Sequence, residues 1–200
     1  MATKIFIVLL SYFIGNISTS VIVSKLWANI DIRNYGSGNA GTTNVLRTLG
    51  VKAALITLIG DILKGWIAVW LGKKVGGIDL ALFCGVAVIV GHNWPALFGF
   101  KGGKGIATAI GVIMQIQPLV GLICIAVGIL TIIKTKYVSL GSLLGICLSP
   151  FLLWVFVDWK HFLFACVLAA LALFRHRSNI KRLMQGTESK IQLKKSGLKQ

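Results

Sequence analysis

Long apolar runs separated by short polar stretches set the pattern of this chain. Residues 5–26 form the first run, long enough to cross the ~30 Å hydrocarbon core of a bilayer as a helix. Its second half carries Gly15, Asn16, Ser18, Thr19, Ser20 and Ser24, small and hydroxyl residues suited to helix–helix contact in lipid. The run continues to Trp27 without an A-x-A cleavage site, which predicts an uncleaved helix rather than a signal peptide. A second span covers residues 53–71 and holds Asp61 and Lys64, three apart and so on one helical face. Both charges are costly in lipid unless they face protein and pair, which leaves a structural ion pair and a substrate-linked role open. Two short runs, 78–90 and 106–116, flank a glycine-rich loop, and neither crosses the core unaided. Runs at 119–133, at 138–157 with Pro150 inside it, and at 162–174 complete the set. The pattern predicts an all-α polytopic membrane bundle of about seven transmembrane helices. Five spans with re-entrant short runs are the alternative.

Charge sets the expected orientation. With seven passes, Lys25, Arg33, Arg47, Lys101, Lys104, Lys134, Lys136 and the basic C-terminal tail fall on one side. The positive-inside rule makes that side cytoplasmic, with the N-terminus outside and the C-terminus inside. Lys4, Lys73, Lys74 and Lys160 run against it. The chain of 200 residues is 56% hydrophobic, with mean hydropathy +0.85, and has 21 Lys and Arg against 5 Asp and Glu. In a membrane protein this excess fits cytoplasmic loops, anionic headgroups and an anionic substrate. Bases scattered over short loops argue against nucleic acid. Cys84, Cys124, Cys147 and Cys166 lie in apolar segments without a CxxC pair and read as small buried hydrophobes. Residues 1–177 form the expected integral membrane domain. Residues 178–200 form a basic cytoplasmic tail whose first part belongs to the site.

Three polar blocks interrupt the apolar pattern on that basic side. The first, residues 37–47, reads SGNAGTTNVLR. Loop glycines with Ser and Thr cradle anions, and Arg holds phosphate bidentately. Thr42 or Thr43 as a plain helix cap is the simpler alternative. The second block, residues 91–108, reads GHNWPALFGFKGGKGIAT. Its glycines admit close backbone approach to an anion, Lys101 and Lys104 add charge, and a helix starting near Gly105 adds its positive dipole end. It is not a Walker A loop: Gly105 follows Gly103-Lys104, and Phe98 stands where the first glycine belongs. His92 alone is a weak signal. The third block runs from His176 through Glu188, with His176 and Asn179 placed to share one face of a helix. By itself a basic juxtamembrane tail reads as a lipid anchor.

Other chemistries fail on spacing. No His is followed five residues later by Asp: Leu97 follows His92, Cys166 follows His161 and Lys181 follows His176. There is no GxSxG, and carboxylates are too few for a two-metal site. The remaining inventory of Lys, Arg, Ser, Thr, Asn, His and backbone N–H groups stabilises negative charge. It suits a substrate that arrives already activated.

These residues identify a resemblance. GSGNAGTTNVLRTLG at 36–50, GDILKG at 60–65, GHNWPALFGFKGGKGIATAIG at 91–111, SLGS at 139–142 and HRSNIKRLMQGTE at 176–188 are similar to the bacterial acyl-phosphate:glycerol-3-phosphate acyltransferases (PlsY). One departure is GNISTS at 15–20, where the family more often reads like G-S-I-P, a change that bears on the bend of the first helix. The resemblance implies a multi-pass protein of the bacterial cytoplasmic (inner) membrane. It implies transfer of a fatty acyl group from acyl phosphate to the 1-hydroxyl of glycerol 3-phosphate, giving lysophosphatidic acid and phosphate. It implies no metal, no organic cofactor and no obligatory protein partner; its partners are the two substrates and membrane lipid.

On that footing, Ser37, Gly38, Asn39, Thr43 and the Gly102–Gly103 backbone are expected to hold the acyl-phosphate head. Arg47, Lys104, Ser142, His176 and Asn179 are expected to hold glycerol 3-phosphate, with Lys101 and Ser139 as further binding residues. Ser37, Asn39, Lys104, His176 and Asn179 form the expected catalytic set. Two candidates stay open for the base, His176 and a phosphate oxygen of the donor. The rival functions are a transporter of an organic phosphate and a non-enzymatic subunit with a lipid-binding tail.

Overall fold

The computed structural model describes Met1–Ile191, and every regular element in that range is helical. Lys194, Lys195 and Lys199 of the expected tail lie outside the described residues. The helices are α1 Ala2–Asn16, α2 Thr19–Ala28, α3 Thr42–Leu49, α4 Val51–Asn93, α5 Ile106–Ile116, α6 Pro118–Thr135, α7 Val138–Phe156, α8 Trp159–Arg175 and α9 Arg177–Met184. Each of the seven expected apolar runs is helical, with two changes of boundary. The first run is two helices, because Ile17 and Ser18 break it between α1 and α2. The second and third runs are the two arms of α4, which bends at Gly76–Gly77, where Gly77 takes the left-handed φ of 71°. The arms fold back on one another, since a Cβ at Gly72 would sit against Cys84 and the Ala81 backbone. Four helical stretches have the length and apolar character of a span: 2–28, 51–98, 118–135 and 138–156. The α8–α9 pair, bent by 64°, is a fifth.

The chain folds as two compact units, Met1–Val112 and a second beginning at Ile113. The expected boundary at 177/178 falls inside α9. In the first unit, α1 packs against the second arm of α4 with almost no separation. A Cβ at Gly15 would collide with the Val88 carbonyl, and one at Gly91 with the Tyr12 carbonyl. The start of α5 crosses the first arm in the same way, through Gly65 against Thr108 and Gly111 against Ile62. In lipid there is little hydrophobic drive between helices, so glycine contacts of this kind let backbones approach closely enough for dispersion to hold the pair. The second arm, residues 78–93, is about 24 Å long and α5 is about 16 Å long. Both fall short of the ~30 Å core. The loop between them therefore lies beside the middle of the first run. Tyr12 Oη donates to the Trp94 carbonyl (2.9 Å), and Asn16 Oδ1 accepts from Leu97 N–H (3.2 Å).

In the second unit, α6 crosses α7 at Gly128–Gly141 and at Cys124–Gly145. Asp158 caps α8, accepting from the His161 N–H at 2.9 Å. Trp154, Trp159 and Phe162 cluster beside that cap, the amphipathic aromatic content typical of a membrane–water interface. The cysteine expectation holds for Cys84 and Cys124. Cys147 is exposed and Cys166 half-buried, because their helix faces are not covered by other helices.

Candidate active site

Within the first unit, the first two polar blocks come together. Residues 29–41 turn on one side chain. Asn44, on the first turn of α3 and 2% exposed, donates to the carbonyls of Ile32 (3.0 Å) and Tyr35 (2.9 Å) and accepts from the Ser37 N–H (2.9 Å). Gly36 passes so close to the Asn44 amide that a Cβ would collide with it. This ties down the segment that presents Ser37 and Gly38 to solvent, with Asn39 and Thr43 half-buried behind them. Gly41 stands at the N-cap of α3 and no side chain caps it. Thr42 and Thr43 are therefore first-turn residues, which removes the plain-cap reading of this block. Arg47 lies exposed on the last turn of α3.

A clamp joins the segment that leads into the first block to the second block. Arg33 donates to both Asp31 carboxylate oxygens (2.6–3.1 Å) and through Nη1 to the Phe98 carbonyl (2.9 Å). The Arg33 hydrogen bond holds the Asp31 carboxyl below its ordinary value, against the opposing effect of burial, and Asp31 raises the guanidinium in turn.

The glycine loop is closely packed. A Cβ at Gly102 would collide with the His92 carbonyl and Pro95, and one at Gly103 with the His92 imidazole and the Ala40 carbonyl. The Gly103 N–H donates to the His92 carbonyl (3.1 Å). That donor bonds within the loop. These glycines are needed for close packing. Gly105 takes φ +83° and lets the chain turn straight into α5 at Ile106, as expected. The first turn of α5 thus presents helix N-terminal N–H groups, next to the half-buried Lys104. Lys101 is exposed on the outer part of the loop.

Asp61 and Lys64 do pair, at 2.8 Å and almost fully buried. Thr19 Oγ1 donates to Asp61 (3.0 Å). The Lys64 ammonium also reaches the Gly15 and Ile17 carbonyls (3.2 and 2.9 Å) and His92 Nδ1 (2.7 Å). The break between α1 and α2 takes the Gly15 and Ile17 carbonyls out of the regular helix ladder, Ile17 accepting from the Thr19 N–H (3.1 Å) as well, so the ammonium helps satisfy backbone groups that lipid cannot. This favours the structural reading of the pair.

In the second unit, Glu188 organises the third block. Its carboxylate accepts from Ser139 Oγ (2.8 Å), Asn179 Nδ2 (2.6 Å) and Arg182 Nε (2.7 Å). Burial pushes the Glu188 carboxyl up, and these hydrogen bonds more than offset it, holding the group below its ordinary value. Ser139 is thus bound to Glu188, and Ser142 lies half-buried on α7 three residues on. His176 is buried at the α8–α9 bend, and its Nδ1 donates to the Ala172 carbonyl (2.8 Å). A carbonyl offers no proton, so Nδ1 carries the hydrogen and Nε2 carries the basic lone pair of the neutral ring. Ser139, Asn179 and Arg182 are brought together by one carboxylate that sequence reasoning gave no role. Its signal was to be the one acid in a basic tail. Asn44 and His92 were missed in the same way, as unremarkable members of their blocks.

Comparison with known proteins follows the same residues. The family model described as glycerol-3-phosphate acyltransferase matches residues 5–186. The glycerol-3-phosphate acyltransferase of Alkaliphilus metalliredigens is 52% identical over 193 residues, covering 96% of this chain and 98% of its own. That of Clostridioides difficile is 48% identical over 200 residues, covering 96% and 97%. Among solved structures, the integral membrane glycerol 3-phosphate acyltransferase PlsY in its glycerol 3-phosphate form superposes with TM-score 0.90. It shares 38% identity, with 95% of this chain and 96% of that one covered. Its lysophosphatidic acid form gives TM-score 0.89 at 36% identity, with 96% of each chain covered. The apolar helices and this likeness make the chain a multi-pass membrane protein, and it belongs to the glycerol-3-phosphate acyltransferase family.

Proposed function

We propose that this protein transfers a fatty acyl group from an acyl phosphate to the 1-hydroxyl of glycerol 3-phosphate, at the cytoplasmic face of the bacterial inner membrane. The observation that carries this reading is the chemistry of the polar blocks. They hold cations, amides, hydroxyls and a helix N-terminus, and the one carboxylate within them, Glu188, is already engaged by Arg182, as Asp31 just before the first block is by Arg33. Such a set binds phosphate and stabilises an oxyanion but supplies no strong nucleophile. An acyl phosphate is a mixed anhydride with a good leaving group, so the acceptor hydroxyl attacks the acyl carbon directly. The carbon–oxygen bond to phosphate breaks, inorganic phosphate leaves, and the hydroxyl proton passes either to His176 Nε2 or to a phosphate oxygen of the donor. The glycerol 3-phosphate and lysophosphatidic acid forms of PlsY support this acceptor and product.

Ser37, Gly38, Asn39 and Thr43 hold the donor phosphate in this reading. Arg47, Lys104, Ser142, His176 and Asn179 hold the acceptor, with Lys104 bridging both phosphates, and Asn, Ser or backbone donors stabilise the charge that develops on the acyl oxygen. Lys101 adds long-range attraction for both anions. The glycine loop sits beside the middle of an apolar run, so a donor keeps its chain in lipid while its head reaches the loop. Removing the Arg47 guanidinium in Arg47→Ala is expected to raise the KM for glycerol 3-phosphate about 10-fold, the worth of one charge-assisted hydrogen bond, with kcat little changed. An unchanged KM takes Arg47 out of the acceptor site.

The test of the function is phosphate release by purified protein in detergent, given palmitoyl phosphate with and without glycerol 3-phosphate. Release that depends on the acceptor, with lysophosphatidic acid in equal amount, is the expected result. No release from folded protein sinks the reading and brings the organic-phosphate transporter forward. Release without the acceptor indicates a hydrolase.

A further inference from the structure

The buried Asp61–Lys64 pair lies outside the three blocks, yet it reaches two of them through one residue. His92 closes the second arm of α4. Its ring is 6% exposed and faces two ways. Nδ1 stands 2.7 Å from the Lys64 ammonium. The Nε2 edge borders Gly103, at the same spot where the Ala40 carbonyl of the first block arrives. The His92 backbone carbonyl accepts the Gly103 N–H as well. An ammonium donates and does not accept, so Nδ1 is the acceptor and the neutral ring carries its proton on Nε2. Lys64 therefore selects both the tautomer and the rotation of the imidazole, as outer hydrogen bonds do for histidines that ligate metals.

The same ammonium bonds the Gly15 and Ile17 carbonyls, and Asp61 bonds Thr19 on the far side of the helix break. Four acceptors surround three ammonium hydrogens: Asp61, His92 and the two carbonyls. The break in the first run, the ion pair and the glycine loop are thus one connected assembly.

We infer that Asp61, Lys64 and His92 are positioning residues for the acyl-transfer reaction. They act by fixing the imidazole against Gly103 and Ala40, and through Gly103 they place Lys104 and the N-terminus of α5. None of the three needs to touch substrate. This rests on the proposed acyl transfer.

His92→Leu and His92→Gln separate positioning from folding. Leucine fills the space, and the Lys64 ammonium keeps three acceptors for its three hydrogens, so the protein is expected to fold. Glutamine restores an acceptor toward Lys64 and a donor on the opposite side. His92→Leu is expected to lower kcat about 10-fold, within the range set by a misplacement below 1 Å, with thermal stability near that of the parent. Hydrogen exchange in residues 100–106 should accelerate in this variant and stay unchanged elsewhere. His92→Gln is expected to recover both kcat and exchange protection. Full activity in His92→Leu overturns the inference. So does a loss that glutamine fails to rescue, or one that only tracks a general fall in stability. A failure of the acyl-transfer reading is seen separately, as absent acceptor-dependent phosphate release in the parent protein. Local exchange in the variants reports on the positioning in either case.

Discussion

Gly103→Ala is expected to lose about 100-fold or more in acyl-transfer rate, the scale of an active-site displacement near 1 Å. The added methyl has nowhere to go. It would meet the His92 imidazole and the Ala40 carbonyl together. Neither neighbour is a flexible chain end: the ring is held by Lys64, and the carbonyl belongs to the backbone. The loop must therefore move, carrying Lys104 and the start of α5 with it. Gly99→Ala is the matching control. Gly99, unlike Gly103, takes a left-handed φ, +64°, but a methyl there meets nothing within 4 Å. Its cost is the backbone strain alone, about 1–2 kcal/mol, and its activity should stay close to that of the parent. Initial rates of phosphate release and thermal unfolding in detergent, measured on both variants, check the contrast. Equal behaviour of the two would mean that packing at Gly103 does not set the loop.

Glu188→Ala is expected to cost a similar factor, for a different reason. It strips the shared acceptor from Ser139, Asn179 and Arg182 at once. A buried donor left without its partner costs ~1–3 kcal/mol, and Asn179 and Ser139 are both buried. Asn179 then loses its orientation, and acceptor binding falls with it. Glu188→Gln keeps one acceptor oxygen and should retain more activity than alanine. The pH dependence follows from the direction of the shift. The folded carboxyl sits below its ordinary value of 4.5, so its contribution is fully present above that value. It is lost as pH falls through the lowered folded value. The parent protein should therefore release α9 at acid pH below 4.5, read as faster exchange in residues 177–188, and Glu188→Gln should show no such acid step. A variant with parental kinetics would remove Glu188 from the organisation of the site.

The residues that bind phosphate in this reading were legible as types and spacings. Glycines, hydroxyls, amides and cations interrupting a hydrophobic chain are conspicuous, and apart from Ser139 and Ser142 they stand in three contiguous blocks. The residues that hold those blocks in place were not legible. Asn44 reads as one polar residue among many, and only the folded loop shows it tying Ile32, Tyr35 and Ser37 together. The break between α1 and α2 hid inside an unbroken apolar run. Ile17 and Ser18 do not forbid a helix, and the break is stabilised by Lys64, 47 residues further on from Ile17. Gly102 and Gly103 were visible as glycines, but what packs against them was not. A glycine near Lys reads as an anion cradle, and only the fold adds that a side chain there would collide with His92.

Hydropathy, charge and block composition determined the helical membrane class, the expected cytoplasmic placing of the basic side and the phosphate chemistry. Each of these is a property of residues counted along a local stretch. Bilayer thickness, helix rise and the cost of buried charge act on such stretches directly. The tertiary structure alone decided which partner each buried polar group takes. Lys64 with the broken helix, His92 with Gly103, and Glu188 with Ser139 and Asn179 join positions that no local periodicity relates. A hydrogen bond depends on where two atoms meet within about 3 Å, and the spacing of residues along the chain does not carry that distance.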